Sequence, residues 1–172
     1  GKFADRKIAR DHALQMIDEG ADMIDIGGES SRPGAEPVSM DEELNRTIPV
    51  IEAIRQKSDC LISIDTYKPT VAKAALDAGA DMVNDISGFT FDNGMAPLVA
   101  KRNVPVILMH IKGIPRDMQK DPHYDNLMRE IRQFFKNQVA SAKAKGVSDE
   151  MIILDPGIGF GKRLEDNFEI IR

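Results

Sequence analysis

The stretch Met23–Glu29, which reads MIDIGGE, decides the fold: a short apolar run ends in a polar residue and is followed by glycines. Four later stretches have the same form, an apolar run followed by polar and turn-forming residues: Leu61–Thr66, Met82–Gly88, Val106–His110 and Ile152–Gly157. Short apolar runs of this kind are typical of buried strands. Because helix-like stretches separate them, the strands are predicted to be parallel, with their polar carboxyl ends meeting at one mouth.

Helical spacing of apolar residues fills the intervals between these runs. The predicted helices are Asp5–Glu19, Glu42–Lys57, Pro69–Ala78, Met95–Lys101 and Tyr124–Lys145, with another beginning at Asn167. Asp41 is the predicted cap of the second helix, and Pro49 inside it predicts a kink or a later start. The pentapeptide Gly20–Ile24 is echoed at Gly79–Val83, each time between a helix and a strand, which indicates a reused βα unit.

The predicted fold class is α/β, a (β/α)₈ TIM barrel of which the chain covers a part, with residues 1–172 forming one domain. Five strands cannot close an eight-stranded barrel, because strand number, tilt and shear are linked. A doubly wound sheet is the competing architecture. That fold usually carries a glycine-rich phosphate fingerprint after its first strand, and the sequence contains no such pattern.

Composition narrows the class of protein. The chain has 172 residues, 42% of them hydrophobic and 30% charged, and a formal net charge of −5. An acidic chain of this kind has no broad basic face for nucleic acid or an anionic membrane. Its apolar runs are too short to span a bilayer, and its first ten residues are too polar for a signal peptide, so a cytoplasmic protein is expected. Cys60, the only cysteine, is predicted to be a small core residue.

Three polar residues at strand ends are the first candidates for chemistry: Asp65, Asn84 and Asp155. The alternative interpretation for each is a cap on the following helix or turn. Asp85 alternates with Asn84 along its strand, so it points to the other side and is predicted to be structural. The role of Asp25 stays undecided.

Five motifs, taken in order, resemble those of the dihydropteroate synthase family: GGESSRPG at 27–34, SIDTY at 63–67, VNDISG at 83–88, LMH at 108–110 and LDPGIGFGK at 154–162. The resemblance spans nearly the whole chain. It implies a (β/α)₈ barrel that joins para-aminobenzoate to 6-hydroxymethyl-7,8-dihydropterin pyrophosphate and releases pyrophosphate in folate synthesis. The chain would then hold the second to sixth strands and lack the first strand and the last two βα units.

The three candidates suit a pterin. A carboxylate can accept two hydrogen bonds at once from the amino group and ring N–H of a pterin edge, and Asp155 is predicted to do so. Asn84 offers both a donor and an acceptor to the ring. If pyrophosphate departs before the amine attacks, as the resemblance implies, Asp65 would stabilise the developing positive charge as a fixed carboxylate, which makes it the predicted catalytic residue.

Other substrate contacts follow from the resemblance and from the loops that carry them. The resemblance implies that Ser31 contacts the pyrophosphate-bearing substrate, and that Arg32 and Pro33 help to form the para-aminobenzoate pocket. The family commonly has Thr where Ser31 stands. Alternating glycines, Gly159 among them, let the backbone approach a ligand while Phe160 flanks it. Apolar surface for the flat faces of the pterin would come from two residues at strand ends, Ile86 and Met109. Core packing is the alternative for Met109 and for Phe160.

The resemblance also implies Mg²⁺ as cofactor and a homodimer of the full-length protein. The expected metal ligand lies in the loop of the first strand, of which Gly1–Phe3 would be only the tail, so no metal ligand is predicted in this segment. His110 is expected to make a structural hydrogen bond, and Lys68, Lys112 and Lys162 are expected to be solvated. Two alternatives stay open: a corrinoid-dependent methyltransferase of methyltetrahydrofolate and a pterin-binding relative without activity.

Overall fold

The computed structural model describes residues 6–172, so the predictions for Gly1–Phe3 and for a helix start at Asp5 lie outside the described residues. Strands and helices alternate throughout. The strands are β1 (Met23–Gly27), β2 (Leu61–Asp65), β3 (Met82–Asp85), β4 (Val106–Met109) and β5 (Ile152–Asp155). The helices are α1 (Arg6–Asp18), α2 (Met40–Arg55), α3 (Pro69–Asp77), α4 (Met95–Arg102), α5 (Leu127–Ala144) and α6 (Leu164–Ile171). A single 3₁₀ turn, Asp149–Met151, precedes β5.

All five strands are parallel and stand in the sheet in chain order, from β1 to β5. One face of this sheet is covered by the helices and carries the hydrophobic core. Its strand residues are almost fully buried: Ile24, Ile26, Ile62, Ile64, Val83, Val106 and Leu108. The alternation of neighbouring residues along each strand therefore sends the intervening side chains to the opposite face.

That opposite face is concave, as in the wall of a barrel. The amide of Gly34, in the loop after β1, donates to the carbonyl of Pro115, in the loop after β4, at 3.1 Å. Two strands separate β1 from β4 in the sheet, so these loops meet only because the sheet curves around a common mouth. Met23, Leu61 and Ile153 lie on this face and are 40–51% exposed in the chain. The fold is thus part of a TIM barrel, as predicted.

Three helix starts differ from their predictions, and one of them is α6, which begins at Leu164 rather than Asn167. Helix α2 is capped by Ser39, whose Oγ accepts from the amide of Glu42 at 3.2 Å, so the prediction of Asp41 as cap is wrong. The helix begins nine residues before Pro49 and continues past it, which also rules out a later start. Helix α5 begins at Leu127 rather than Tyr124, because the side chain of Asn126 caps it. Within residues 6–172, none of the helices combines the length and the apolar character that crossing a membrane requires.

Candidate active site

Asp65 ends β2, Asn84 lies one residue before the end of β3, and the two stand side by side in the sheet register. Asp25, left undecided by the sequence, lies on the same face and links to both strands. Its Oδ1 accepts from the hydroxyl of Ser63 at 2.6 Å, and its Oδ2 accepts from Nδ2 of Asn84 at 3.4 Å. One N–H of the Asn84 side chain therefore already donates to Asp25. The amide oxygen and the second N–H are left for a ligand at the mouth.

The charge state of Asp65 differs from the expectation. Burial raises the pKa of its carboxyl to about 8, and the neighbouring carboxylates Asp25 and Glu43 add to the rise. Burial also raises the pKa of Asp25, although the hydrogen bonds from Ser63 and Asn84 oppose it. Carboxyl groups that lie close to one another oppose each other's ionisation. Burial and neighbouring charge therefore favour the protonated form of Asp65 in the described chain, and its role as a carboxylate in the reaction stays a prediction.

Asp155 closes β5 on the concave face, but at a distance from the other two candidates along the sheet. It pairs in register with Met109, and β4 stands between it and the strand of Asn84. Its Oδ1 accepts from the amide of Gly157 at 2.8 Å. The residue thus caps its own turn with one oxygen and can offer the other to a ligand. The alternation along β4 and β5 places Asp155, Asn84 and Asp65 on one face of the sheet.

An apolar cluster lies between these polar groups at the mouth. It consists of the buried side chains of Ile86, Met109, Ile111 and Met118, with Tyr67, Phe91 and Phe160 packed against them. Ile86, Met109 and Phe160, all predicted to meet the substrate, therefore share one cluster. Met109 is only 4% exposed, so it serves as core as well as flanking the mouth.

The Gly-rich loop after β5 is pressed against the end of β4. A Cβ on Gly157 would stand 2.1 Å from the carbonyl oxygen of His110, and one on Gly161 would stand 2.3 Å from that of Lys112. Both glycines have positive φ angles, which L side chains rarely adopt. Only glycine permits this approach, and it fixes the backbone on either side of Phe160. Gly159, between them, has open space around its Cβ position.

Lys162 was predicted to be solvated, and this prediction is wrong because the residue is only 2% exposed. Its Nζ lies 3.0 Å from Nδ1 of His110, and it donates to the carbonyl oxygens of His110 at 3.1 Å and Phe160 at 3.0 Å. Burial lowers the pKa of Lys162 to about 8, and burial with the nearby ammonium lowers that of His110 to about 4. The structural role predicted for His110 is confirmed.

Lys68 is likewise not solvated: it is ion-paired to Glu29 and Glu43 and its side chain is 18% exposed. Lys112 stays closer to the expectation. Its side chain is 41% exposed, pairs with Glu130 at 3.1 Å and lies over the ring of Tyr124. Nothing in the local sequence marks the two buried lysines, because their partners are distant in the chain.

The remaining predicted residues behave as follows. Asp85 is buried and accepts from the amide and hydroxyl of Ser87 and the amide of Phe89, so its structural role is confirmed. Cys60 is partly buried against the core. Ser31 is half-buried and lines a small cavity beside Asp65, whereas Arg32 and Pro33 are exposed on the loop after β1.

The donor set for a metal was tested on the same residues. Between residues 6 and 172, no three or more His, Cys, Asp or Glu side chains are grouped so that they could hold a metal ion. Asp25, the carboxylate closest to Asn84, already accepts hydrogen bonds with both oxygens. The described residues therefore do not form a Mg²⁺ site by themselves.

Comparisons with known proteins agree with this geometry. The family described as pterin binding enzyme matches residues 1–172. A dihydropteroate synthase from Synechocystis is 53% identical over 172 residues, which is all of this chain and 60% of that protein. The Yersinia pestis dihydropteroate synthase, solved as a sulfonamide drug complex, superposes with a TM-score of 0.95 at 43% identity, over 99% of this chain and 62% of that one.

A third comparison carries a ligand of the expected kind. The Burkholderia cenocepacia dihydropteroate synthase, solved in complex with 7,8-dihydropteroate, has a TM-score of 0.88 and 46% identity, over 96% of this chain and 59% of that one. The chain spans about three fifths of the length of these relatives. Its parallel strands, its polar mouth and its match over every residue have one explanation: the chain belongs to the pterin-binding enzyme family.

Proposed function

We propose that the full-length protein is a dihydropteroate synthase. It joins 6-hydroxymethyl-7,8-dihydropterin pyrophosphate to para-aminobenzoate, giving 7,8-dihydropteroate and pyrophosphate in folate biosynthesis. One observation carries the proposal: Asp65, Asn84 and Asp155 lie on one concave face beside an apolar cluster. Such a face suits a flat heterocycle with a hydrogen-bonding rim. Relatives that share this sheet bear the same name.

In this proposal the pterin is gripped at its rim. Asp155 accepts from the exocyclic amino group and the ring N–H with its two oxygens, because the amide of Gly157 occupies only one lone pair of Oδ1. Asn84, oriented by Asp25, presents its amide oxygen and remaining N–H to the neighbouring ring edge. The side chains of Ile86 and Met109 pack against the faces of the ring.

The reaction breaks the bond between the exocyclic methylene carbon and the pyrophosphate oxygen, and a bond from the amine nitrogen to the same carbon replaces it. The amine then loses a proton to water or to the released pyrophosphate. Positive charge that develops on the pterin favours the ionised form of a nearby carboxyl group. Asp65, which ends β2 at this mouth, would stabilise the developing cation as a carboxylate.

The second substrate is proposed to lie under the loop after β1. Ser31 borders the cavity beside Asp65, and Arg32 and Pro33 stand exposed next to it. Phe160, in the Gly-rich loop, packs against the apolar cluster that contains Ile86 and Met109. A Xanthomonas albilineans dihydropteroate synthase, which superposes on this chain with a TM-score of 0.90, was solved with 4-aminobenzoic acid. That complex supports a pocket for this molecule in this fold.

Two further parts of the proposal rest on the resemblance alone. Mg²⁺ would be the cofactor, held by groups outside the described residues. The full-length protein would be a homodimer. Chelation by EDTA should lower turnover and added Mg²⁺ should restore it, and sedimentation of the full-length protein should give twice the protomer mass.

The deciding experiment is direct. The full-length protein is incubated with para-aminobenzoate, the pterin pyrophosphate and Mg²⁺, and both pyrophosphate and 7,8-dihydropteroate are measured. Equimolar formation of the two products is expected. Binding of the pterin without pyrophosphate release would indicate a non-catalytic relative, and turnover that depends on a corrinoid would indicate a methyltransferase.

A further inference from the structure

Lys68 is surrounded by three acceptors beneath the loop after β1. Its ammonium donates to Oε2 of Glu29 at 2.6 Å, to Oε2 of Glu43 at 2.5 Å and to the carbonyl oxygen of Val38 at 2.7 Å. An ammonium has three N–H groups, so each has a partner. The three partners come from the start of the loop, its end and helix α2.

Glu29 joins the two ends of the loop directly. Its Oε2 also accepts from the amide of Val38 at 2.9 Å, nine residues further along the chain. Its Oε1 accepts from the hydroxyl of Tyr67 at 2.9 Å. Both oxygens of Glu29 are therefore in use. The carboxylate closes the loop at its base and attaches it to the turn between β2 and α3.

The segment between these two ends carries the residues proposed to meet the second substrate. Residues 28–39 contain no helix or strand, so the position of Ser31–Pro33 depends on how the loop is anchored. The tip is anchored by the hydrogen bond from Gly34 to Pro115, and the base by Glu29 and Lys68.

We propose that Glu29 and Lys68 are positioning residues: they close the base of the loop and thereby hold Ser31, Arg32 and Pro33 at the mouth. A role in folding alone would not need this arrangement, because buried ion pairs contribute little net stability compared with apolar side chains of similar size. What the ion pair supplies is geometry, since each of its bonds is directional and charge-assisted. The inference deepens the proposed function and rests on it for the identity of the substrate.

Two glutamine variants of the full-length protein separate positioning from folding. Glu29→Gln must lose contacts, because a glutamine amide has one acceptor oxygen whereas Glu29 uses two. Glu43→Gln also removes one carboxylate charge that pairs with the ammonium of Lys68. Glu43 accepts from Lys68 with one oxygen only, so its glutamine can keep that bond, and it lies in helix α2 rather than in the loop.

The first measurement is amide hydrogen exchange of the peptide that covers residues 30–38. Glu29→Gln should speed its exchange about tenfold, the effect of losing one or two charge-assisted hydrogen bonds, while peptides of α5 stay unchanged. Glu43→Gln should leave the loop near the wild-type rate. Equal exchange in both variants would overturn the inference. If Glu29→Gln does not fold, Tyr67→Phe removes only one bond to Glu29 and should give a smaller increase, and no increase would contradict the proposal.

The second measurement is steady-state kinetics. Glu29→Gln should raise KM for para-aminobenzoate about tenfold and change kcat less, since the loop binds the substrate without touching the reacting atoms. An unchanged KM would count against the inference. Wild-type protein that forms no dihydropteroate would refute the proposed function instead, and the exchange measurement would still decide whether Glu29 positions the loop.

Discussion

At the scale of single residues, the burial of Asp65 and the carboxyl groups around it set the pKa of that residue. Asp25 accepts hydrogen bonds from Ser63 and Asn84. The negative charges around Asp65 raise the pKa of its carboxyl group. Gly27 stands next to Asp65, where a Cβ would come within 3.3 Å of its carboxyl oxygen. The carboxyl group is thus free of side-chain crowding but not of charge, and its ionisation depends on what enters the mouth.

This charge state predicts a pH-dependent stability. An unfolded aspartate has a pKa of about 3.9, and Asp65 in the folded chain has a pKa of about 8. The folded state therefore binds more protons than the unfolded state between these values, and the contribution of Asp65 to stability falls as the pH rises through that window. Relative to wild type, Asp65→Asn should gain about 1 kcal/mol or more between pH 5 and pH 8.

Urea unfolding of both full-length proteins at several pH values measures this difference. Asp77→Asn serves as the control, because hydrogen bonds from Lys73 and Arg102 lower the pKa of Asp77, so its effect on stability should not change between pH 5 and pH 8. A stability difference between wild type and Asp65→Asn that stays constant from pH 5 to pH 8 would contradict the assigned charge state.

Asp155 supports a prediction about binding. In Asp155→Ala the donor pair of the pterin would lose its acceptor, and affinity should fall about a hundredfold, the cost of two charge-assisted hydrogen bonds. Asp155→Asn can still accept from the amide of Gly157, so it should keep the turn and the stability while losing most of the affinity. Calorimetry with the full-length proteins measures both, and near-wild-type affinity of the alanine variant would refute the assignment.

The residues that sequence reasoning found and missed differ in one physical respect. Asp65, Asn84 and Asp155 follow from strand ends, which the local pattern of apolar residues reveals. Lys68 and Lys162 are buried by partners 39 and 52 residues away, and no local pattern encodes such a contact. The role of Asp25 required the register between β1 and β3 across β2, which apolar runs alone do not fix.

At the scale of elements, the Gly-rich loop acts as a rigid connection between β4 and β5. Gly157→Ala should destabilise the protein by about 3 kcal/mol or more, because the new Cβ would displace the carbonyl of His110 and the φ angle is positive. Gly159→Ala is the matched control. Its φ is also positive but the space is open, so only the backbone strain of about 1–2 kcal/mol is expected.

Urea unfolding of the two glycine variants tests this view of the loop. Equal losses would show that the loop is not packed on β4 as described.

The positions of the strands and most helices were predictable because periodicity is a local property. The starts of α2 and α5 were not, because several polar residues stand near each start, and only the extended backbone and side-chain hydrogen bonds of Ser39 and Asn126 identify them as the caps.

At the scale of the whole molecule, the described chain exposes surfaces that a closed barrel would cover. Met23, Leu61 and Ile153 lie exposed on the concave face, and Leu164, Phe168 and Ile171 on α6 are 61–69% exposed. An apolar groove of about 740 Å³ runs along α5 beside Leu154. Within residues 6–172, β1 and β5 each pair on one side only, so the sheet has two open edges. Exposed edges and apolar patches of this kind favour aggregation.

Residues 1–172 expressed alone should therefore be poorly stable. We expect strong binding of the dye ANS, a broad thermal transition and concentration-dependent association, since the apolar faces remain in contact with water. The full-length protein, measured in parallel, should bind little dye and unfold cooperatively, because the remaining strands and helices of the barrel cover the same faces. Substituting Phe168 and Ile171 by lysine should reduce association of the isolated chain but destabilise the full-length protein. Cooperative unfolding of the isolated chain with little dye binding would show instead that five strands suffice for a stable core.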